Sequence, residues 1–201
     1  VGFAPVASGH EQELIELMEG VEDIPGTALH EGMPWGTWQS YPEYLDYLAT
    51  REYALDISSL IAHGAVRNFV MGERGRTNQA ATAADLKQMG GIVEEALRAG
   101  AVGFSTSRIL GHRSIQGEPV PGTFANDVEV MAISDALKRA QSGVFQIIPS
   151  STLGPGRPGM QEHSSLEQEI DLILKVSQQS GRPATFTLFQ THEWADKWRK
   201  A

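Results

Sequence analysis

The sequence contains no cysteine. That excludes a disulfide framework, a thiolate nucleophile and every zinc site built on thiolates, and it agrees with a reducing compartment. No apolar run approaches the roughly 18–20 residues that cross a bilayer, and the first residues lack the basic, apolar, small-residue order of a signal peptide. A cytoplasmic location is the expectation. Basic residues are scarce as well: 16 Lys and Arg stand against 25 Asp and Glu, a formal charge of -9. Such a charge repels nucleic acid and anionic membrane surfaces and leaves a small molecule as the expected partner.

Several signatures of chemistry are also missing. No Gly-x-Gly-x-x-Gly follows an apolar run and no Lys follows a Gly-rich turn, so dinucleotide and phosphate-loop binding lack their pattern. No Gly-x-Ser-x-Gly elbow supports a serine hydrolase triad. The six histidines form neither a His-x-His pair nor a His-Glu-x-x-His helix. A complete zinc site is therefore not expected within this chain.

What is present is a core and a rhythm. With 41% hydrophobic residues, 201 residues suffice for one domain or part of a larger one. The stretch Glu94–Arg113, EEALRAGAVGFSTSRILGHR, shows the plan: a helix closes at Gly100, Ala101–Phe104 reads as a buried strand, and polar Ser105, Thr106, Ser107 and Arg108 follow. Earlier, His10–Gly20 reads as a helix and Val21–Ser40 as an irregular excursion whose Trp35 and Trp38 cap a core. Tyr41 opens a helix with Pro42 in its first turn. Ala54–Ala62 reads as a strand ending at His63, and Ala65–Met71 as a helix. Thr82 with Asp85 resembles a capping box that opens a helix carrying Leu86, Met89, Val93, Ala96 and Leu97 on one stripe. Asn126 with Glu129 in the reciprocal position opens another, Val144–Ile148 is a strand, and Ser164 starts a helix that Gly181 closes. Ala184–Phe189 completes the strands, and Thr191 caps a last helix bearing Trp194 and Trp198.

Four strands with helices between them imply parallel pairing through right-handed crossovers. The expected fold is α/β, a partial TIM-like (β/α) barrel, with an open doubly wound sheet as the second choice. In either, ligands bind beyond the carboxyl ends of the strands. His63, Ser105–Arg108, Gln146, Ser150 and Gln190–His192 fall there. His63 could orient a substrate, relay a proton or bind a metal, or simply be a hydrogen-bonded loop residue. Ser107, Arg108, His112 and Arg113 suit a carboxylate, although caps and ion pairs with Glu explain such residues equally well. Gln146 and Gln190 are amides inside apolar runs, each a hydrogen-bond hub or a site residue.

Three segments, MEGVEDIPGTALHEG at 18–32, AHGAVRNFVMGERG at 62–75 and EALRAGAVGFSTSRILGHRSIQGEPVPGTF at 95–124, together resemble the N-acyl-D-amino-acid deacylase (D-aminoacylase) branch of the amidohydrolase superfamily. GAVGFSTS is the most specific part. The resemblance implies a zinc-bearing β/α barrel beside a small β-sandwich, acting on the amide of N-acyl-D-amino acids. It also implies that residues 1–201 are a central segment of one incomplete domain. The family's His-x-His and Cys ligand would precede Val1, and its late catalytic Asp would follow Ala201. On this reading His63 lies near the reacting end, as the catalytic candidate, and Ser107, Arg108, His112 and Arg113 lie near the amino-acid carboxylate. The family also carries metal-binding His residues at the ends of two middle strands. The matching strands here, VFQIIPS and ATFTLFQ, hold Gln146 and Gln190 instead, and amides are poor zinc ligands. The competing expectation is a non-catalytic partial barrel. Unpaired strand edges predict a homo-oligomer or another protein partner.

Overall fold

Capping side chains set where the helices begin. In the computed structural model, which describes residues 1–152, 163–190 and 195–199, Ser40, Thr82 and Ser165 each accept from the backbone N–H three residues on. Glu43, Asp85 and Gln168 return the bond. These boxes satisfy donors that a first helical turn leaves orphaned. The elements run α1 (Glu11–Glu22), α2 (Gly26–Gly32), α3 (Tyr41–Ala49), β1 (Leu60–Ala62), α4 (His63–Met71), α5 (Glu73–Arg76), α6 (Ala83–Ala99) and β2 (Gly103–Ser107). They continue with α7 (Asp127–Ala140), β3 (Val144–Ile148), α8 (Leu166–Ser180) and β4 (Ala184–Phe186).

The sheet has the order β1-β2-β3-β4, and every neighbouring pair is parallel. α6 packs on α4 and α7, and α7 packs on α8, so these helices share one layer. A doubly wound sheet reverses its strand order and carries helices on both faces. The monotonic order here is that of a β/α barrel, as expected.

Strand alternation then sorts the side chains. Ile61, Phe104 and Phe145 lie side by side in register and are buried with Met89, Val93 and Leu97 of α6, Ile133 and Leu137 of α7, and Ile173 and Val176 of α8. The Phe104 and Phe145 rings stack at 5.7 Å. The next row, Ala62, Ser105, Gln146 and Thr185, is offset by one residue and so belongs to the opposite face. At the amino end, Trp38 is buried, its indole N–H donates to Phe3 O at 2.9 Å, and its ring meets Trp35, Tyr44 and Tyr47. The tryptophans cap a core.

Several boundaries differ from those read in the sequence. β1 keeps only the last three residues of Ala54–Ala62, because Leu55 and Ile57 are 82% and 54% exposed and have no strand to pair with among the described residues. β2 begins at Gly103 and extends to Ser107, so Ser105, Thr106 and Ser107 are strand residues paired with Gln146, Ile147 and Ile148 rather than loop. β4 stops at Phe186. α1 runs through Gly20 to Glu22. Gly20 is no stop signal. A Cβ there would collide with the Arg113 and Ser114 backbone, so the missing side chain admits a hairpin closed by the Arg113–Pro119 bridge. α2 lies inside the stretch read as irregular. The helix after Gln190, with Thr191, His192 and Trp194, lies outside the described residues.

Candidate active site at the strand tips

The end of β2 distributes three hydroxyls between two faces. Ser105 Oγ donates to Gln146 Oε1 on the adjacent strand. Ser107 Oγ lies 2.9 Å from His112 Nδ1, and burial pushes the His112 imidazole below its ordinary pKa. Ser105, Ser107, His112 and His63 line one cavity of about 160 Å³, closed on its sides by Val120 and Ile148. Of the residues singled out in the sequence, His63, Ser107 and His112 therefore share one cavity, and Gln146 joins them through Ser105.

Thr106 also lines this cavity, but its hydroxyl turns into a buried polar cluster. Its Oγ1 is 2.8 Å from His63 Nδ1, and His63 Nε2 is 2.7 Å from Glu129 Oε1. Arg67 Nη1 donates to both Glu129 oxygens. Burial pushes His63 below its ordinary pKa despite the nearby carboxylate. Burial alone would raise Glu129, but hydrogen bonds and charge from His63 and Arg67 outweigh it and hold the carboxyl below its usual value. An ionised carboxylate only accepts, so the proton of the neutral ring sits on Nε2 and bare Nδ1 accepts the Thr106 hydroxyl. Gly122 lies against this ring: its φ is +101°, and a Cβ there would sit 2.7 Å from His63 Nδ1. Asn78 latches the same segment, donating to Pro119 O and Val120 O and accepting from Gly122 N.

Glu129 was expected to complete the cap at Asn126. The cap forms from one side only, Asn126 Oδ1 accepting from Glu129 N at 3.0 Å, while the carboxylate turns inward to His63 and Arg67. A buried guanidinium without a counter-charge costs far more than one exposed N–H left to water, which decides the rotamer. The sequence put Thr106 at the strand end and Glu129 in a cap, but it did not show the buried cluster they form with His63 and Arg67. The available signal was His63 and Arg67 at i and i+4, one helical turn apart on one face.

The other three candidates are not brought to the cavity. Arg108 Nε lies 3.1 and 3.0 Å from the Glu169 oxygens, and its Nη1 donates to Ala125 O. Glu169 also accepts from Ser150 N and Ser164 Oγ. Arg113 Nη1 donates to Gly117 O within its hairpin at 2.6 Å. Gln190 is exposed and accepts from Trp198 N at 3.3 Å. A regularity emerges: α6, α7 and α8 each present a first-turn carboxylate to an arginine, as Asp85–Arg74, Glu129–Arg67 and Glu169–Arg108. Carboxylates suit the positive end of a helix. Arg74 holds the Asp85 carboxyl down to about 2.

Among the described residues, no three His, Asp or Glu side chains gather as metal ligands. The strand tips offer neutral hydroxyls, one amide and the single imidazole of His112, and both nitrogens of His63 are engaged. These donors do not fit a zinc centre. No helix among the described residues is long and apolar enough to cross a membrane.

A singly wound run of parallel β/α units with polar side chains collected at the strand tips defines a barrel-type α/β protein with its ligand edge at those tips. The sequence profile of the Amidohydrolase family matches residues 4–201, and the chain belongs to that family. It is 29% identical over 127 residues to uncharacterized proteins of Mycobacterium tuberculosis and Mycobacterium bovis, an alignment covering 58% of this chain and 20% of theirs. Among solved structures it is similar to a D-aminoacylase mutant in complex with copper chloride, with TM-score 0.55, 20% identity, and coverage of 74% of this chain and 27% of that one. It is also similar to the N-acyl-D-glutamate deacylase of Bordetella bronchiseptica complexed with zinc and a phosphonate inhibitor, with TM-score 0.54, 21% identity, and coverage of 73% and 26%. At these identities the likeness concerns the fold, and it agrees with the D-aminoacylase resemblance of the sequence. The chain spans 20% of the length of the curated relatives it matches and 26–27% of these two solved chains.

Proposed function

We propose that the protein is a metal-dependent amidohydrolase of the D-aminoacylase kind, acting on N-acyl-D-amino acids, and that this chain forms one wall of its substrate pocket. The observation that carries this reading is the gathering of Ser105, Ser107 and His112 at the strand tips of a chain in the amidohydrolase family. Ser107, His112 and Gln146 are uncharged donors and acceptors suited to an amide and its acyl carbonyl. Arg108 is committed to Glu169 and Arg113 to its own hairpin, so the geometry supports neither as the partner of a substrate carboxylate. His63, with both nitrogens bonded, braces Thr106 and thereby the strand tip that carries Ser105 and Ser107. Zinc is the proposed metal, held by residues outside the described set.

The test is hydrolysis of paired N-acetyl-D- and N-acetyl-L-amino acids by the intact, zinc-loaded protein. D-selective release of acetate is expected, with Gln146→Ala raising KM on the order of tenfold, the loss of one good hydrogen bond. A zinc-bearing protein inert toward every D-substrate overturns the reading. A protein that takes up no metal and associates in light scattering supports the non-catalytic alternative.

A further inference from the structure

The contact between Ser107 and His112 is more specific than a passive wall requires. Ser107 ends β2, and the turn at Leu110 and Gly111 brings the chain back so that His112 Nδ1 stands 2.9 Å from Ser107 Oγ. Both side chains are half-buried and open into the cavity of about 160 Å³. Burial pushes the ring below its ordinary pKa and so favours its neutral form, and the tautomer protonated on Nε2 accepts the hydroxyl proton at Nδ1. Glu22 lines the same cavity. A nucleophile and a base thus stand in contact, as acyl transfer uses them, without the sharp-turn motif of serine hydrolases.

We propose that Ser107 is an acyl-accepting nucleophile served by His112, giving the protein a metal-independent esterase activity toward small carboxylic esters. The Ser107 Oγ–H proton passes to His112 Nδ1 as Oγ bonds to the ester carbonyl carbon. The bond from that carbon to the alcohol oxygen then breaks, the departing oxygen takes the proton from His112, and the acyl group stays on Ser107. Water, deprotonated by the same ring, adds to the acyl carbon, releases the carboxylic acid and restores the hydroxyl. Neither step uses a metal or a redox partner.

The experiment uses the intact protein stripped of metal by a chelator, with p-nitrophenyl acetate in one arm and a fluorophosphonate in the other. Release of p-nitrophenolate and one phosphonyl adduct on the peptide bearing Ser107 are expected. Ser107→Ala abolishes both, and His112→Gln slows labelling at least about 100-fold, the usual worth of a placed base. Ser107→Cys retains acetylation, as a thioester. Ser142→Ala, between α7 and β3, leaves the rates unchanged. Absence of an adduct on Ser107 in protein with an unaltered circular dichroism spectrum overturns the proposal, as does labelling that persists in Ser107→Ala. The zinc-dependent assay on D-substrates is scored separately, so failure of the esterase leaves the amidohydrolase reading standing.

Discussion

With Glu129 removed, Arg67 and His63 lose the acceptor that both now share. Glu129→Gln keeps the volume but leaves the buried guanidinium without a counter-charge, and a loss of about 3–5 kcal/mol is expected in urea unfolding. The same cluster sets a pH dependence. His63 is held below 6.5 when folded, so unfolding takes up a proton in acid. Its contribution is complete above pH 6.5 and declines as the pH falls below that value. Glu129, held below 4.5, contributes fully above that value and loses its contribution beneath it. The urea midpoint should therefore fall from about pH 7.5 to about pH 5.5, less steeply in His63→Asn. An unchanged slope in that variant would show that another histidine carries the effect, and His112 is displaced in the same direction. Ser107 and His112 were legible in the sequence because they follow an apolar run within a few residues. Glu129 was not, since its partners lie 62 and 66 residues away and nothing local distinguishes a carboxylate that caps a helix from one that turns inward.

At the scale of elements, the segment from Ile109 to Ala125 is shaped by what it leans on. Gly122 combines a φ of +101° with close approach to His63, so Gly122→Ala meets both backbone strain and a clash. A destabilisation of about 1–3 kcal/mol is expected, with faster proteolysis of this segment than of α6 or α7. Cleavage rates equal to wild type would mean that the segment is not held by this contact. The helix starts at Thr82 and Asn126 could be read directly, because a cap is a short-range chemical signal. The strand limits could not. Where Ala54–Ala62 stops being strand depends on whether a neighbour exists to bond it, and where β2 ends depends on the length of β3, neither of which is local.

For the whole molecule, the alternation of strands and helices was enough to foresee a parallel sheet, and the monotonic order then selected the barrel-type winding over the doubly wound one. Among the described residues, β1 and β4 form the edges of the sheet. Tyr53, Leu55 and Ile57 are exposed just before the edge strand β1, and apolar side chains at a sheet edge promote association. We propose that this patch is a self-association site: Leu55→Lys should leave stability within about 0.5 kcal/mol of wild type while lowering the light-scattering mass at high concentration. An undiminished mass would show that Leu55 takes no part in association. The strand order has one more consequence. Because each new strand docks beside the one just synthesised, the sheet can lengthen in step with translation, never inserting a late strand between two early ones. A chain arrested on the ribosome after β3 should already protect the β2 backbone amides from exchange.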